Sequence, residues 1–473
     1  MKKILFFFGL FLLFSCSYEY VLNITPADAV VKINGSLVSS LRYKTNQKTI
    51  SIEITKNEYL PINEVLENSN FFIAKKINYV LQAISYPVTI SIVNTPSEII
   101  MDSVNLGRSP LVTELSHGPH EMILKNSVYP PQTIHFNFNK QEELIFRHQE
   151  KPIAMNHLGV FPCDTWPKQV IFTPDSRYIY ITLLEGFGFQ IFDTQKMRII
   201  NYIRIEPYAK YRNFVEGIFI EEKKTFLCSQ MATSRVFEFD VRDYENPKLL
   251  REIKTKGSWS KVIEYNRVLN QLAVSNWLSN DVSIIDYDSG EIITKLSKIP
   301  APRGLIYRDD GKYLFVLSFD GGFIEKYDTH TWKVVGRVYK PVAAMRHGVL
   351  TKNQKRLWVT NMTHSEVYEI DTDKFEILKS LSVFDKTNTI DLGKNDLYAF
   401  VSCRGPNNEI DYTLPSPESG KVMIIDTLSS KIIGEIRGGN QPTGLDVSPD
   451  NRFLCFSNFQ DNSIELYELP ESF

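Results

Sequence analysis

The sequence predicts an all-β protein: a seven-bladed β-propeller preceded by two small β-sandwich domains. One strand–loop–strand pattern occurs seven times in the last two-thirds of the chain. Its period of about 40–45 residues, with about four short strands in each unit, is typical of a propeller blade. The segment before the repeats contains short alternating strands broken by Asn-Gly, Gly and Pro turns, which is typical of a small antiparallel sandwich.

The first 15 residues have the pattern of an export signal. Two lysines precede an apolar run of 11 residues (4–14), which is too short to span a bilayer and suits a signal peptide. The run ends Leu13-Phe14-Ser15-Cys16, which resembles a bacterial lipobox. That resemblance implies a signal peptide over 1–15 and lipid attachment, such as palmitate, at Cys16. The alternative is an ordinary secretion signal with an incidental cysteine.

The anchor and the charge together limit the partners. Ser17 follows the cysteine, and by resemblance to the sorting rules of diderm bacteria this implies the outer membrane of the cell envelope. Buried acyl chains contribute about 0.8 kcal/mol per CH₂, so several chains on one cysteine hold firmly. The chain has 53 basic and 55 acidic residues and a formal charge of −2. It lacks the excess of basic residues that is typical of proteins that bind nucleic acid, so no nucleic-acid partner is expected.

Residues 16–85 and 86–150 are predicted to form the two sandwiches. The second contains an ordered set of turn motifs, Leu-Gly-Arg-Ser-Pro at 106–110 and Leu-Ser-His-Gly-Pro-His at 115–120. This order resembles the PEGA domain, a spacer or surface module of extracytoplasmic proteins. Both segments lack the glycine of the family's name motif, and the first also lacks the Gly-x-x-Pro element. His117 and His120 are expected to be turn residues with satisfied rings, not metal ligands.

The propeller is predicted over 151–473, with strands A to D in each blade. Strand B of each repeat ends in a hydroxyl residue, at Thr182, Ser229, Ser275, Ser318, Thr360, Ser402 and Ser457. Strand C ends in an acid, at Asp193, Asp240, Asp286, Asp328, Asp371, Asp426 and Glu468. Those acids are expected to cap the C–D turn through the local backbone.

The last repeat lacks a strand D, because only five residues follow Glu468. The strand at 155–161 is predicted to pair with the last strand C, closing the ring and removing an exposed edge. Phrases such as Leu454-Cys455-Phe456-Ser457-Asn458 make the seven repeats similar to the YVTN family of propellers. Cys228, Cys403 and Cys455 lie inside strand B and are expected to be buried core residues.

Propellers bind ligands where D–A and B–C loops meet around the central channel. The residues at the starts of the A strands, together with the long loop 404–420 of blade 6, form the predicted rim: Trp166, Lys168, Trp259, Lys261, Arg303, Arg346, His347, Arg404 and Tyr412. Arginine supplies bidentate pairing to acidic groups and tryptophan a stacking face. The alternative is a rim that is polar because the channel holds water.

Three functions follow as hypotheses. The first is a lipid-anchored envelope protein whose propeller binds a protein, peptide or glycan without catalysis. The second is a hydrolase- or lactonase-like enzyme acting on a small anionic substrate through Arg303, Arg346 and His347. The third is a purely structural envelope component. No cofactor and no metal is expected, because no Cys-x-x-Cys or His-x-x-x-His spacing occurs.

Overall fold

The computed structural model describes residues 17–70, 73–93, 96–126, 131–147, 155–205 and 212–470. The chain divides into two compact units, Met1–Gln149 and Glu150–Phe473. Both are built from β-strands, and the described ranges add a single 3-10 turn, Glu221–Lys223. Within these ranges no helix has the length and apolar character needed to cross a bilayer.

Among the described residues, the first unit contains 14 strands in two sandwiches. They are β1 (Tyr18–Thr25), β2 (Val30–Ile33), β3 (Ser36–Leu37), β4 (Arg42–Thr45), β5 (Thr49–Thr55), β6 (Ile62–Glu67), β7 (Lys75–Val80), β8 (Ser85–Val93), β9 (Glu98–Met101), β10 (Val104–Arg108), β11 (Leu111–Ser116), β12 (Gly118–Lys125), β13 (Gln132–Phe138) and β14 (Glu143–Arg147).

Each sandwich consists of a three-stranded and a four-stranded sheet around its own core. In the first, sheet β4-β1-β7 faces β3-β2-β5-β6, and the core includes Tyr20 and Ile52. In the second, sheet β11-β8-β14 faces β10-β9-β12-β13, and the core includes Ile90 and Met122. Alternate residues of β1 and β12 are buried, because successive side chains of a strand point to opposite faces.

The second unit contains the remaining 28 strands. They are β15 (Asn156–Pro162), β16 (Pro167–Phe172), β17 (Tyr178–Leu183), β18 (Gly188–Asp193), β19 (Arg198–Arg204), β20 (Phe214–Ile220), β21 (Thr225–Gln230), β22 (Arg235–Asp240), β23 (Lys248–Lys254), β24 (Ser260–Asn266), β25 (Gln271–Asn276), β26 (Asp281–Asp286), β27 (Ile292–Ser297), β28 (Pro302–Tyr307), β29 (Tyr313–Ser318), β30 (Phe323–Asp328), β31 (Lys333–Tyr339), β32 (Met345–Leu350), β33 (Arg356–Asn361), β34 (Glu366–Asp371), β35 (Glu376–Ser382), β36 (Thr387–Gly393), β37 (Tyr398–Cys403), β38 (Lys421–Asp426), β39 (Lys431–Arg437), β40 (Pro442–Val447), β41 (Phe453–Asn458) and β42 (Ser463–Glu468).

These strands form seven four-stranded antiparallel sheets, so the predicted all-β propeller is confirmed. Blades 1 to 6 each use four consecutive strands, from β16–β19 to β36–β39. Blade 7 has the order β15-β42-β41-β40, with Asn156 opposite Glu468 and Pro162 opposite Ser463. The two ends of the unit therefore share one sheet, and the ring has no unpaired edge at the closure.

The hydroxyl at the end of strand B joins neighbouring blades. In six blades it accepts a hydrogen bond from the third residue of strand A in the same blade, as Thr360 Oγ1 does from His347 N at 3.1 Å. At four junctions it also donates to the carbonyl of the second residue of strand A in the next blade. In blade 4, Ser318 instead donates to Pro300 O at 2.6 Å. The repeat of Ser and Thr is therefore a hydrogen-bonding requirement of the ring.

The predicted turn role of the acids at the end of strand C is confirmed in six blades. Each aspartate accepts backbone N–H bonds two or three residues ahead, as Asp193 does from Gln195 and Lys196. Arg177 also donates two hydrogen bonds to this carboxylate, from Nε to Asp193 Oδ1 at 3.1 Å and from Nη2 to Asp193 Oδ2 at 3.0 Å. These hydrogen bonds hold the pKa of Asp193 well below its usual range despite its burial.

The predicted burial of the strand B cysteines is also confirmed. Cys228, Cys403 and Cys455 are fully buried thiols, and Cys163 is half-buried. Burial raises the pKa of each of these thiols. They are core residues with little thiolate character at neutral pH.

Candidate functional site

A β-bulge near the start of every A strand shapes the mouth of the channel. The register of the A–B pair shifts in each blade, for example between Ser260 and Ile263 and between Met345 and Gly348. A bulge re-aims the side chains next to it. The second residue of each A strand lies at this bulge: Lys168, Val215, Lys261, Arg303, Arg346, Asn388 and Thr443.

The residue just before strand A has a left-handed backbone in six blades. Trp166 and Trp259 have φ of 58° and 59°, and the same holds at Asn213, Ala301, Lys386 and Gln441. This conformation is uncommon for residues other than glycine and is frequent at binding sites. Four of the six side chains, Trp166, Asn213, Trp259 and Lys386, line the cavity described next.

A cavity of about 570 Å³ lies at the mouth of the channel and takes residues from all seven blades. Eight of the nine residues predicted for the rim line it: Trp166, Lys168, Trp259, Lys261, Arg303, Arg346, Arg404 and Tyr412. The structure therefore brings together residues that lie up to 246 positions apart in the chain. We call the four cations at the second position of strand A, Lys168, Lys261, Arg303 and Arg346, the cationic ring.

Sequence reasoning missed a second set of lining residues. The residue directly after strand B lines the cavity in every blade, and in six blades it is apolar: Leu184, Met231, Trp277, Phe319, Met362 and Phe459. We call these six the apolar collar. Arg404 holds the equivalent position in blade 6. The signal that could have revealed them was an apolar residue one or two positions after the Ser or Thr in six of the seven repeats.

The cationic side chains are short of partners. Arg303 Nη2 contacts Glu216 Oε1 at 3.0 Å, while Arg303 Nη1 and Arg404 Nε are buried without a hydrogen-bond partner in the described residues. Arg346 is only 5% exposed and has no hydrogen bond or ion pair within the described part of the chain. None of the lining residues that the structure describes is a carboxylate. Burying cations in this way is costly unless an anion compensates them.

Burial and mutual repulsion shift these groups in the same direction. Desolvation, followed by the charges of Arg346, Arg303 and Arg404, lowers the pKa of Lys168 well below its usual value. Desolvation and the charges of Arg303 and Arg346 lower the pKa of Lys261. The pKa of Arg404 falls to about 10, chiefly through burial. A bound anion would reverse these shifts by favouring the protonated forms.

Aromatic rings of the collar and of the turns pack in pairs across blade boundaries. Trp166 of blade 1 contacts Phe459 of blade 7, with ring centroids 5.0 Å apart, and Trp277 of blade 3 contacts Phe319 of blade 4 at 4.9 Å. Lys261 Nζ lies 3.7 Å from the centre of the Trp277 ring. The lysine is thus held by a cation–π contact with a ring of the collar.

The long loop of blade 6 forms part of the cavity wall. Arg404, Asn407, Tyr412 and Thr413 all line the cavity. Gln441 Nε2 of blade 7 donates to the carbonyls of Tyr412 and Leu414, at 3.1 and 3.0 Å. The loop is therefore fixed to the neighbouring blade by its backbone, while the Tyr412 side chain stays 61% exposed at the rim.

His347 corrects one prediction, because it does not line the cavity with Arg346. As the third residue of strand A, it is held by the backbone bond to Thr360, and its Nδ1 accepts from Ile390 N at 3.4 Å. Burial is the main cause that lowers the pKa of His347 to about 4; the charge of Glu216 acts against this shift, and the charges of Arg346 and Arg303 add to it. The ring is neutral at physiological pH and belongs to the strand packing.

Two further predicted positions lie in the first unit. His120 is buried, with Nδ1 2.5 Å from Asp102 Oδ2 and Nε2 2.7 Å from Ser116 O, so both ring nitrogens have partners, as expected. Cys16 and the signal peptide fall outside the described residues. Across the described ranges, no group of three or more His, Cys, Asp or Glu side chains is placed to hold a metal ion.

The arrangement can bind negative charge from several directions at once. Arginine offers a planar fork of donors to carboxylate or phosphate, and the lysines act as point charges. The low-dielectric walls strengthen each of these contacts compared with water. The apolar collar and the tryptophans add surfaces that can pack against an apolar or ring-shaped part of a ligand.

Comparisons with known proteins agree with the fold and show the family. The chain matches no model of a known protein family. The crystal structure of the Myceliophteria thermophila Cps50 (Swd1) β-propeller domain matches with a TM-score of 0.54 and 12% identity, covering 67% of this chain and 100% of that one, which shows the fold alone. Over 387 residues the chain is 33% identical to "Antigen Lp49" of Leptospira interrogans serogroup Icterohaemorrhagiae serovar copenhageni (strain Fiocruz L1-130), covering 79% of this chain and 83% of that protein. The chain therefore belongs to the family of Antigen Lp49.

Proposed function

We propose that this protein is a lipid-anchored component of the bacterial cell envelope whose propeller binds an anionic group of an envelope protein, peptide or glycan. One observation carries the proposal. Six buried or half-buried cations line one cavity, the cationic ring with Lys386 and Arg404. In the described residues Glu216 is the one carboxylate that forms an ion pair with a ring cation, and two of the donor nitrogens have no partner there. A bound anion would satisfy both the charge and the donors.

The lipid anchor and the two sandwiches complete this proposal. The lipobox-like Leu13-Phe14-Ser15-Cys16 supports acylation of Cys16, with Ser17 favouring the outer membrane. The turn motifs of the second sandwich support a PEGA-like spacer, and the repeats support a YVTN-type propeller. The antigen name of the relative is compatible with a protein of the envelope.

The anchor is tested by metabolic labelling with palmitate. The wild-type protein should incorporate label and sediment with membranes, and Cys16→Ser should lose both properties. Labelling of the Cys16→Ser protein at the wild-type level would contradict the assignment of the lipid site.

Binding is tested by crosslinking in intact cells, followed by mass spectrometry of what the lipidated protein captures. The wild type is compared with Arg303→Ala/Arg346→Ala, which removes two cations of the ring. The matched control is Arg198→Ala/Arg267→Ala, which removes the same charge from exposed positions outside the cavity. We expect one dominant partner that is retained by the control and lost by the ring variant.

Equal capture by all three proteins would contradict binding through the cavity.

The enzyme alternative rests on the lowered pKa values of Lys168 and Lys261, since a neutral amine can act as a base or nucleophile. It requires the wild type to turn over a small anionic ester or lactone that the ring variant leaves intact. Turnover of that kind would replace the binding proposal.

A further inference from the structure

The cavity wall combines two sets of side chains with different chemistry, the cationic ring and the apolar collar. The cationic ring begins at the A strands, where Arg303 and Arg346 are 3% and 5% exposed. The apolar collar lies where the B strands end, and Leu184, Trp277, Phe319 and Met362 are half-buried. A ligand that fills the cavity therefore meets both positively charged and apolar side chains.

The charge of the ring sets a lower limit on the charge of the ligand. Glu216 is the one carboxylate paired with a ring cation in the described residues, through Arg303. Lys168, Lys261, Arg346 and Arg404 have no such pair within that part of the chain. A ligand with one negative charge would leave most of these cations uncompensated, and each uncompensated buried charge is costly.

The collar sets the character of the remainder of the ligand. Trp277 and Phe319 pack against each other, and Lys261 covers one face of Trp277. The volume of about 570 Å³ lies in the range of sites for single small molecules or for one group of a larger one. Purely hydrated ions would leave the apolar collar in contact with water, which an apolar group would displace.

Resting on the proposed function, we infer that the cavity takes an amphipathic polyanion: a group with at least two negative charges bound by the cationic ring, joined to an apolar or aromatic body packed against the collar. Carboxylate and phosphate groups share the required chemistry. The charged group would lie between Arg303 and Arg346. The body would lie against the Trp277–Phe319 pair.

The experiment is isothermal titration of the full-length protein in detergent with three probes that separate charge from apolar body. Inorganic phosphate carries the charge alone, 1-naphthol the apolar body alone, and 1-naphthyl phosphate both. We expect 1-naphthyl phosphate to bind at least about tenfold more tightly than inorganic phosphate, because ring burial adds apolar contact. It should also bind at least about tenfold more tightly than 1-naphthol.

Two variants test the apolar collar and the cationic ring separately. Phe319→Ala should reduce the advantage of 1-naphthyl phosphate over phosphate at least about fivefold and leave phosphate binding unchanged. Arg346→Met should weaken both anions. The control is Val342→Ala, which shortens an 81% exposed apolar side chain outside the lining and should change neither affinity.

The outcomes distinguish this inference from the function on which it rests. Equal affinities for phosphate and 1-naphthyl phosphate would overturn the amphipathic ligand and leave an anion-binding propeller. Binding of 1-naphthol as tight as that of 1-naphthyl phosphate would overturn the role of the ring. If neither anion binds the wild type, the proposed function itself is overturned.

Discussion

Two rings of side chains at the channel mouth occupy adjoining backbone positions and behave in opposite ways. The hydroxyl at the end of strand B is Ser or Thr in all seven blades, whereas the second residue of strand A varies among Lys, Val, Arg, Asn and Thr. The hydroxyl bonds the backbone of strand A in its own blade and in the next. The ring of hydroxyls thus fixes the backbone, which leaves the second residue free to define a ligand. In this repeat, one position of each blade therefore serves the scaffold and a neighbouring position serves the site.

The largest expected effect comes from breaking the ring of hydroxyls. Thr360→Val removes the acceptor of His347 N and the donor to Asn388 O while keeping the side-chain volume. Because both backbone groups would be left buried and unsatisfied, we expect the free energy of unfolding to fall by about 2 kcal/mol. Urea unfolding followed by circular dichroism measures this change.

The matched control is Thr294→Val on β27. Thr294 is half-buried and its side chain has no hydrogen bond within the described ranges. We expect a change within about 0.5 kcal/mol, because valine suits a strand as well as threonine does. Equal losses at the two positions would mean that the hydroxyl contributes no more than an ordinary strand threonine.

Removing one charge from the cationic ring should change the free energy of unfolding in the opposite direction. In chloride buffer without other anions, Arg346→Met removes a buried cation that has no ion pair in the described residues and keeps an unbranched side chain. We expect the free energy of unfolding to rise by about 1 kcal/mol, since the penalty of burying the charge disappears. Urea unfolding of wild type and variant measures the difference.

The exposed Arg267 supplies the control for that measurement. Arg267→Met makes the same substitution at a side chain that is 69% exposed and should change stability by less than about 0.5 kcal/mol. A loss of stability for Arg346→Met alone would make Arg346 a structural residue. That result would remove the contrast between scaffold and site.

The same contrast explains what the sequence could predict. The hydroxyls, the acids and the turn residues recur because backbone hydrogen bonds require them, so the seven repeats and the closing strand could be identified by counting. Six rim residues followed from their place before or within strand A, and Arg404 and Tyr412 followed from the length of the loop in blade 6. The collar did not, because Leu184, Trp277 and Phe319 resemble ordinary loop hydrophobics until the channel is closed. His347 was misplaced because the bulge separates the surroundings of adjacent residues.

A pair of acids in the A strands sharpens the comparison, because here desolvation acts on acids in place of cations. Asp391 and Asp446, from the A strands of blades 6 and 7, are hydrogen-bonded to each other. Asp391 Oδ2 accepts from Val447 N at 2.8 Å, and Asp446 Oδ2 accepts from Phe172 N at 2.6 Å. Burial is the main cause that raises the pKa of Asp391 to about 6, and burial together with the charge of Asp391 raises the pKa of Asp446.

This acid pair predicts a pH dependence of stability. Below about pH 3 the pair is protonated in the folded and unfolded states, and it contributes no pH dependence. As pH rises, the unfolded carboxyls ionise first, so the free energy of unfolding falls; the part of the fall due to Asp391 ends above about pH 6, where its folded carboxyl ionises. Asp446→Asn should remove part of this fall. It should match the wild type near pH 3 and exceed its stability increasingly toward pH 7.5, by about 1 kcal/mol. Urea unfolding at four pH values checks the trend, with the exposed Asp288→Asn as control. A difference between Asp446→Asn and wild type that stays constant with pH would mean that both carboxyls are ionised in the folded protein. Burial of the Asp391–Asp446 pair would then not lower the free energy of unfolding.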